Sequence, residues 1–280
     1  MKPFLMYKDQ DFDLRRKLPW NEQALIQDLE LDTLFNAMAL EDKFLLEVAR
    51  KAVLSSIDDP DTILYRQDIL KDCLKHPSLI RDIYAIVVEA LEEKKKHFWG
   101  FYSKYPAGIL SGSIEMMQAY AVVLKKLRTI ADEKAEKFES EGFRNLFAML
   151  KKELNDDYFE VVQNHLNRLK FRDGVLISAE LGKGNKGVNY VLRELRQLSQ
   201  SWMDRIITDY ILPRIQDSSH PWLKRIFAQR TPAYTFYLHP RDEAGARALT
   251  EFRDRGIHLV ANALAQSADH IRGFFTMLQT

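Results

Sequence analysis

Two lysines flank an asparagine in Gly182-Lys183-Gly184-Asn185-Lys186-Gly187, the stretch whose residue types and spacing come nearest to a chemical motif. Glycine lets backbone approach a ligand closely, and lysine neutralises phosphate oxygens. A nucleotide-binding P-loop needs GxxxxGK followed by Ser or Thr, then a helix whose N-terminus faces the phosphates. Here Gly187 leads into Val188-Asn189-Tyr190-Val191-Leu192, an alternating run. The run before it, Val175 to Leu181, alternates in the same way, so residues 174–192 read as a β-hairpin. The turn uses glycine because its backbone must reach positive φ. That explains the glycines, not the cations. Lys183, Asn185 and Lys186 at the tip, with Arg172 and Arg193 at the base, are candidate contacts to a nucleic-acid backbone. A solvated turn accounts for the same residues, and the sequence leaves both readings open.

No other constellation points to catalysis. None of the seven histidines stands at HExxH spacing or beside a cysteine cluster, so no metal site is predicted. No GxSxG and no Ser/His/Asp grouping is present. The carboxylates Asp156-Asp157 and Glu139 with Glu141 read as solvated charge near helix ends, because acid–base work needs two groups aimed at one substrate. Phe98, Trp99, Phe101, Tyr102 and Tyr105 lie near Lys94 to Lys96 and read as a core-plugging loop rather than a base-stacking surface. No catalytic residue is assigned, and the chain is not expected to be an enzyme.

These tip residues need a frame, and the rest of the chain supplies helices. With 46% hydrophobic residues in 280, a large core is available. Net charge is +1, yet residues 165–230 carry twelve Lys/Arg against six Asp/Glu, so positive charge is concentrated around the hairpin. Cys73 is the only cysteine, which rules out an internal disulfide and fits a reducing, cytoplasmic setting. It sits on an apolar helical pattern and reads as an inert core thiol. No run approaches 18 uninterrupted apolar residues, so no membrane span is predicted.

Apolar spacing predicts helices over 21–31, 32–56, 60–75 and 78–91. Asp59 before Pro60 supplies a cap and a preset φ for the third of these. Residues 102–113, with Pro106, Gly108 and Gly112, read as a loop. Long helices are predicted over 114–140 and 143–171, about 40 Å each at ~1.5 Å per residue. Asn155-Asp156-Asp157 is the place where the second could bend or divide. After the hairpin, helix is predicted over 194–211, a third strand over 234–238 and a last helix over 242–278. The fold class is therefore mainly α, a helical core with long lever helices and a small β-hairpin insertion. Its expected parts are a loosely ordered segment 1–24, a helical core 25–130, a hairpin-bearing region 131–240 and a returning helix 241–280. The last apolar pattern runs to Thr280 without a C-cap glycine or proline, which predicts a further domain after it.

Three stretches together resemble the middle of MutS-family DNA mismatch repair proteins. Leu29-Glu30-Leu31 with Asp59 to Leu70 is similar to the start of the family's core, or lever, domain. Phe171 to Glu180, continuing through Tyr190-Val191, resembles the clamp, a strand, a basic turn and a second strand. Ala248 to Phe275 resembles the lever helix that returns toward the ATPase domain. The resemblance implies contact with duplex DNA backbone, dimerisation of the intact protein, and ATP and Mg in a domain beyond this chain. It does not extend to a mismatch-reading wedge, since Tyr158-Phe159-Glu160 has the wrong aromatic in a helical setting. No Walker motif occurs here, so ATP hydrolysis is not expected of the chain itself. The alternative is a helical scaffold that binds protein and has no DNA role.

Overall fold

The computed structural model describes residues 1–96, 105–171, 175–183, 187–193, 233–238 and 246–280. Within them the chain is mostly helical with one small antiparallel sheet. The helices are α1 (Glu22–Asp28), α2 (Leu31–Ala39), α3 (Lys43–Leu54), α4 (Pro60–Lys75), α5 (Pro77–Lys96), α6 (Pro106–Lys134), α7 (Glu141–Glu153), α8 (Asp156–Leu169) and α9 (Ala246–Gln279). A 3₁₀ turn, Ala135–Lys137, follows α6. The strands are β1 (Val175–Leu181), β2 (Gly187–Arg193) and β3 (Ala233–Leu238). Two compact units form, both discontinuous in sequence: residues 1–92, 122–158 and 271–280 make one, and 93–121 and 159–270 the other.

Local chemistry explains most boundaries. Asp59 caps α4 as its sequence predicts, its carboxylate accepting from Thr62 N at 2.9 Å with Pro60 in the first turn. The helix expected over 32–56 is instead two. Leu40 and Glu41 adopt positive φ (48° and 68°), which ends α2, and Asp42 restarts the chain by accepting from Phe44 N at 2.7 Å. The helix expected over 143–171 divides where the acidic patch lies. Leu154 leaves helical geometry, and Asn155 Oδ1 accepts from Tyr158 N at 2.8 Å to open α8. The helix over 194–211 lies outside the described residues.

One expectation is corrected outright. Residues 106–113 are not loop but the first turns of α6, with Pro106 at its start, where a missing N–H costs nothing. Gly112 and Ser113 are buried there, so the small residues serve close packing rather than a turn. α6 is long and apolar enough to cross a membrane by composition alone, and half of its apolar window is buried within the protein. Leu110, Ile114, Met117, Leu124 and Leu127 are core residues, which accounts for that composition.

In the first unit, residues 1–20 form no helix or strand but are anchored. Tyr65 Oη donates to the Phe4 carbonyl at 2.6 Å, Lys51 Nζ donates to the Arg16 carbonyl at 3.0 Å, and Tyr7 is buried. A small apolar cluster of Ile26, Phe35, Ala49 and Leu54 joins α1, α2 and α3, with Leu18 packed against it. Phe138, Phe143 and Phe147 form an aromatic group, with ring centroids 4.5 Å and 5.1 Å from Phe138. Beside it, the buried Asp72 of α4 accepts from Glu139 N and Ser140 N, the latter at 2.8 Å. Ser140 is the N-cap residue of α7 and makes no side-chain cap of its own. A carboxylate 68 residues upstream therefore caps that helix.

Candidate nucleic-acid interface

The hairpin forms where its alternation places it. β1 is the middle strand of a three-stranded sheet ordered β2-β1-β3, antiparallel to both neighbours. β3 spans Ala233–Leu238, close to the strand expected at 234–238. Val175, Ile177 and Ala179 of β1 are buried on one face. Toward the turn the burial ends, and Leu181 is half exposed and Lys183 exposed.

The register departs from simple alternation. Ser178 pairs with Val191 and Glu180 with Val188, so two residues of β2, Asn189 and Tyr190, oppose Ala179. This is a β-bulge. Asn189 carries the positive φ that it requires, 52°, and its side-chain amide donates to the Glu180 carboxylate. The alternation read from Val188 to Leu192 is accordingly broken: Leu192 is buried while Val188 is exposed. A bulge bends its strand and increases local twist.

The sheet is tied to α9 by two contacts that sequence reading passed over. Gly256 lies so close to Ile177 that an added Cβ would stand 2.7 Å from Ile177 Cδ1. Ile177 is fully buried, and Ile257 and Ala261 continue the same buried stripe of α9. Next along the helix, the Arg255 guanidinium lies 5.6 Å from the centre of the Tyr190 ring. A glycine within a helical pattern is the one signal that could have marked this joint.

Of the five candidate contacts, Lys183 is exposed next to the turn. Arg193 is the last residue of β2 and pairs with Leu176; its side chain lies outside the description. Arg172, Asn185 and Lys186 fall outside the described residues. The chain leaves the glycine-lysine segment into β2 rather than a helix, and Val188 and Asn189 stand where a P-loop has Lys and then Ser or Thr. Among the described residues, no group of three or more His, Cys, Asp or Glu gathers to hold a metal. His165, on α8, has its pKa lowered by burial and by neighbouring Arg168, and so is neutral at pH 7. Cys73 has its thiol pushed up to about 11 by burial and by the adjacent Asp72 charge, the inert character its position predicts.

No curated protein and no solved structure gives a significant match to this chain. One family model does, the MutS2 N-terminal domain, over residues 58–210 and 207–280. The match takes in most of the chain, including α4, the sheet and α9; of the stretches that carry the likeness to MutS proteins, Leu29-Glu30-Leu31 lies outside it. The chain belongs to the MutS2 N-terminal domain family and is thereby MutS-related.

Proposed function

We propose that this chain is the lever-and-clamp portion of a MutS-like DNA-processing protein. The hairpin tip contacts duplex backbone without reading sequence, through Lys183 and Lys186 with Asn185, Arg172 and Arg193 in support. α9 carries the state of that contact toward an ATPase domain of the parent protein. The observation that carries the reading is the exposed Lys183 beside a turn whose strands are clamped to a 34-residue helix by Ile177, Gly256, Arg255 and Tyr190. Family membership adds weight, because a MutS-related protein has reason to meet DNA. In this reading the chain itself hydrolyses nothing, ATP and Mg belong to the other domain, and the intact protein acts as a cytoplasmic homodimer.

A mobility-shift titration with duplex DNA across a salt series tests it. Each phosphate contact steepens the salt slope by about 0.9. The double change Lys183→Glu with Lys186→Glu should weaken binding strongly at low salt and flatten the slope by about 2. Unchanged affinity at low salt refutes the tip contact. The scaffold reading has its own support in Leu64, Leu70 and Leu74, which α4 turns outward. It predicts that salt has no bearing on partner capture and that duplex DNA is not bound.

A further inference from the structure

The first unit holds a second candidate surface, independent of the hairpin and of the reading built on it. Trp20 is 97% exposed. An indole normally buries most of its ring, because it offers a large apolar area. The exposure is built into the local chain. Leu18 turns inward onto the cluster of Ile26, Phe35, Ala49 and Leu54, and Pro19 follows it. The Pro19 carbonyl accepts from Glu22 N at 3.0 Å, and Asn21 is the N-cap residue of α1. Trp20 sits between an inward anchor and a helix start, so its backbone is held while its ring faces out.

Beside it lies an open groove of ≈ 1070 Å³, lined among others by Lys17, Trp20, Gln27, Glu47, Arg50 and Lys51. Arg15 and Arg16 extend the basic run on the exposed side. Lys51 is fixed toward this segment by its bond to the Arg16 carbonyl, and Arg50 meets Glu22 at 3.5 Å, which takes up one of the two carboxylates on the wall. Lys17, Arg50 and Lys51 thus line the groove beside the ring against Glu22 and Glu47, with Arg15 and Arg16 just upstream in the chain. Most of the other lining residues carry amide or charged groups, and an apolar protein partner would find only Leu18, Pro19 and Ala24 beside the tryptophan. A nucleobase suits the wall better, since it needs one π-face and nearby cations for its phosphates.

The geometry points to a binding site for single-stranded nucleic acid, with a base stacked on Trp20 and the flanking phosphates on Arg15, Lys17 and Lys51. Duplex DNA is excluded from the stacking contact because its bases are already stacked on one another.

The test uses the full chain and fluorescein-labelled oligothymidylate or oligouridylate of about ten nucleotides, read by polarisation. Binding should fall about tenfold with Trp20→Ala and be kept by Trp20→Phe, the size of effect expected for one stacked base. Arg15→Gln with Lys17→Gln should flatten the salt slope by about 1.4, at about 0.7 per phosphate of a single strand. Lys183→Glu with Lys186→Glu should leave single-strand binding in place, which separates this site from the hairpin. Equal thermal midpoints of the Trp20 variants by circular dichroism establish that the fold is kept, as expected for a ring that touches nothing. The two oligonucleotides decide between DNA and RNA as the source. Equal affinity of Trp20→Ala and the parent, or no oligonucleotide binding at low salt, overturns the proposal.

Discussion

Removing the Asp72 carboxylate should uncap α7 from a distance, with a cost that can be worked from its bonds. The carboxylate is 1% exposed and accepts from Glu139 N and Ser140 N. Neither donor has a replacement nearby, since Ser140 makes no cap of its own. Leaving a buried donor without a partner costs about 1–3 kcal/mol, and loss of a helix cap alone costs about 1. Asp72→Ala should therefore lose about 2–4 kcal/mol, a large part of the ~5–15 that holds a typical domain together. Asp72→Asn keeps one acceptor oxygen and should lose less, about 1–2 kcal/mol. Urea unfolding followed by circular dichroism reads both as shifts of the midpoint at constant slope. Acid gives an independent check. Burial alone would raise the Asp72 pKa, but the Ser140 and Glu139 donors and the Lys75 charge outweigh it and hold it below the ordinary carboxylate value. A folded-state pKa below the unfolded one stabilises the fold above about pH 4, and that stability is lost as pH falls through the folded value. The difference between parent and Asp72→Asn should thus be constant at neutral pH and shrink under acid. An Asp72→Ala midpoint within ~0.5 kcal/mol of the parent would refute the distant cap.

Two further outcomes follow from packing and burial. Gly256→Val would press methyl groups into Ile177, whose Cδ1 is already 2.7 Å from a Cβ at that position; a loss of about 2–3 kcal/mol is expected, and Ile177→Ala should relieve part of it. A double-mutant cycle that is additive within about 0.5 kcal/mol would show that the two do not meet. Cys73, its pKa pushed up to about 11, should react with a disulfide reagent at pH 8 roughly a hundredfold more slowly in the folded protein than in urea; equal rates would contradict its burial.

The helical fold class, the hairpin and the last helix could be read from apolar spacing because burial is local in its demands: one stripe per helix, one face per strand. Asp59 before Pro60 could be read as a cap for the same reason, since its partner is three residues away. The misread start of α6 shows the limit. Pro106, Gly108 and Gly112 carry loop composition, and only the close packing around buried Gly112 and Ser113 reveals why a helix tolerates them. The hairpin's lysines were visible as residue types, but the bulge at Asn189 was not, because strand register depends on the partner strand.

Sequence by itself determined much of the inventory: that most segments are helix, where the glycine-lysine segment falls between two strands, and that no GxxxxGK followed by Ser or Thr occurs in the chain. Tertiary structure alone decided that Asp72 caps a helix 68 residues away, that Gly256 seats against Ile177, and that Trp20 faces outward beside a basic groove. Neighbours along the chain announce themselves by spacing, whereas contacts between distant residues exist only once the chain has folded and brought them within reach.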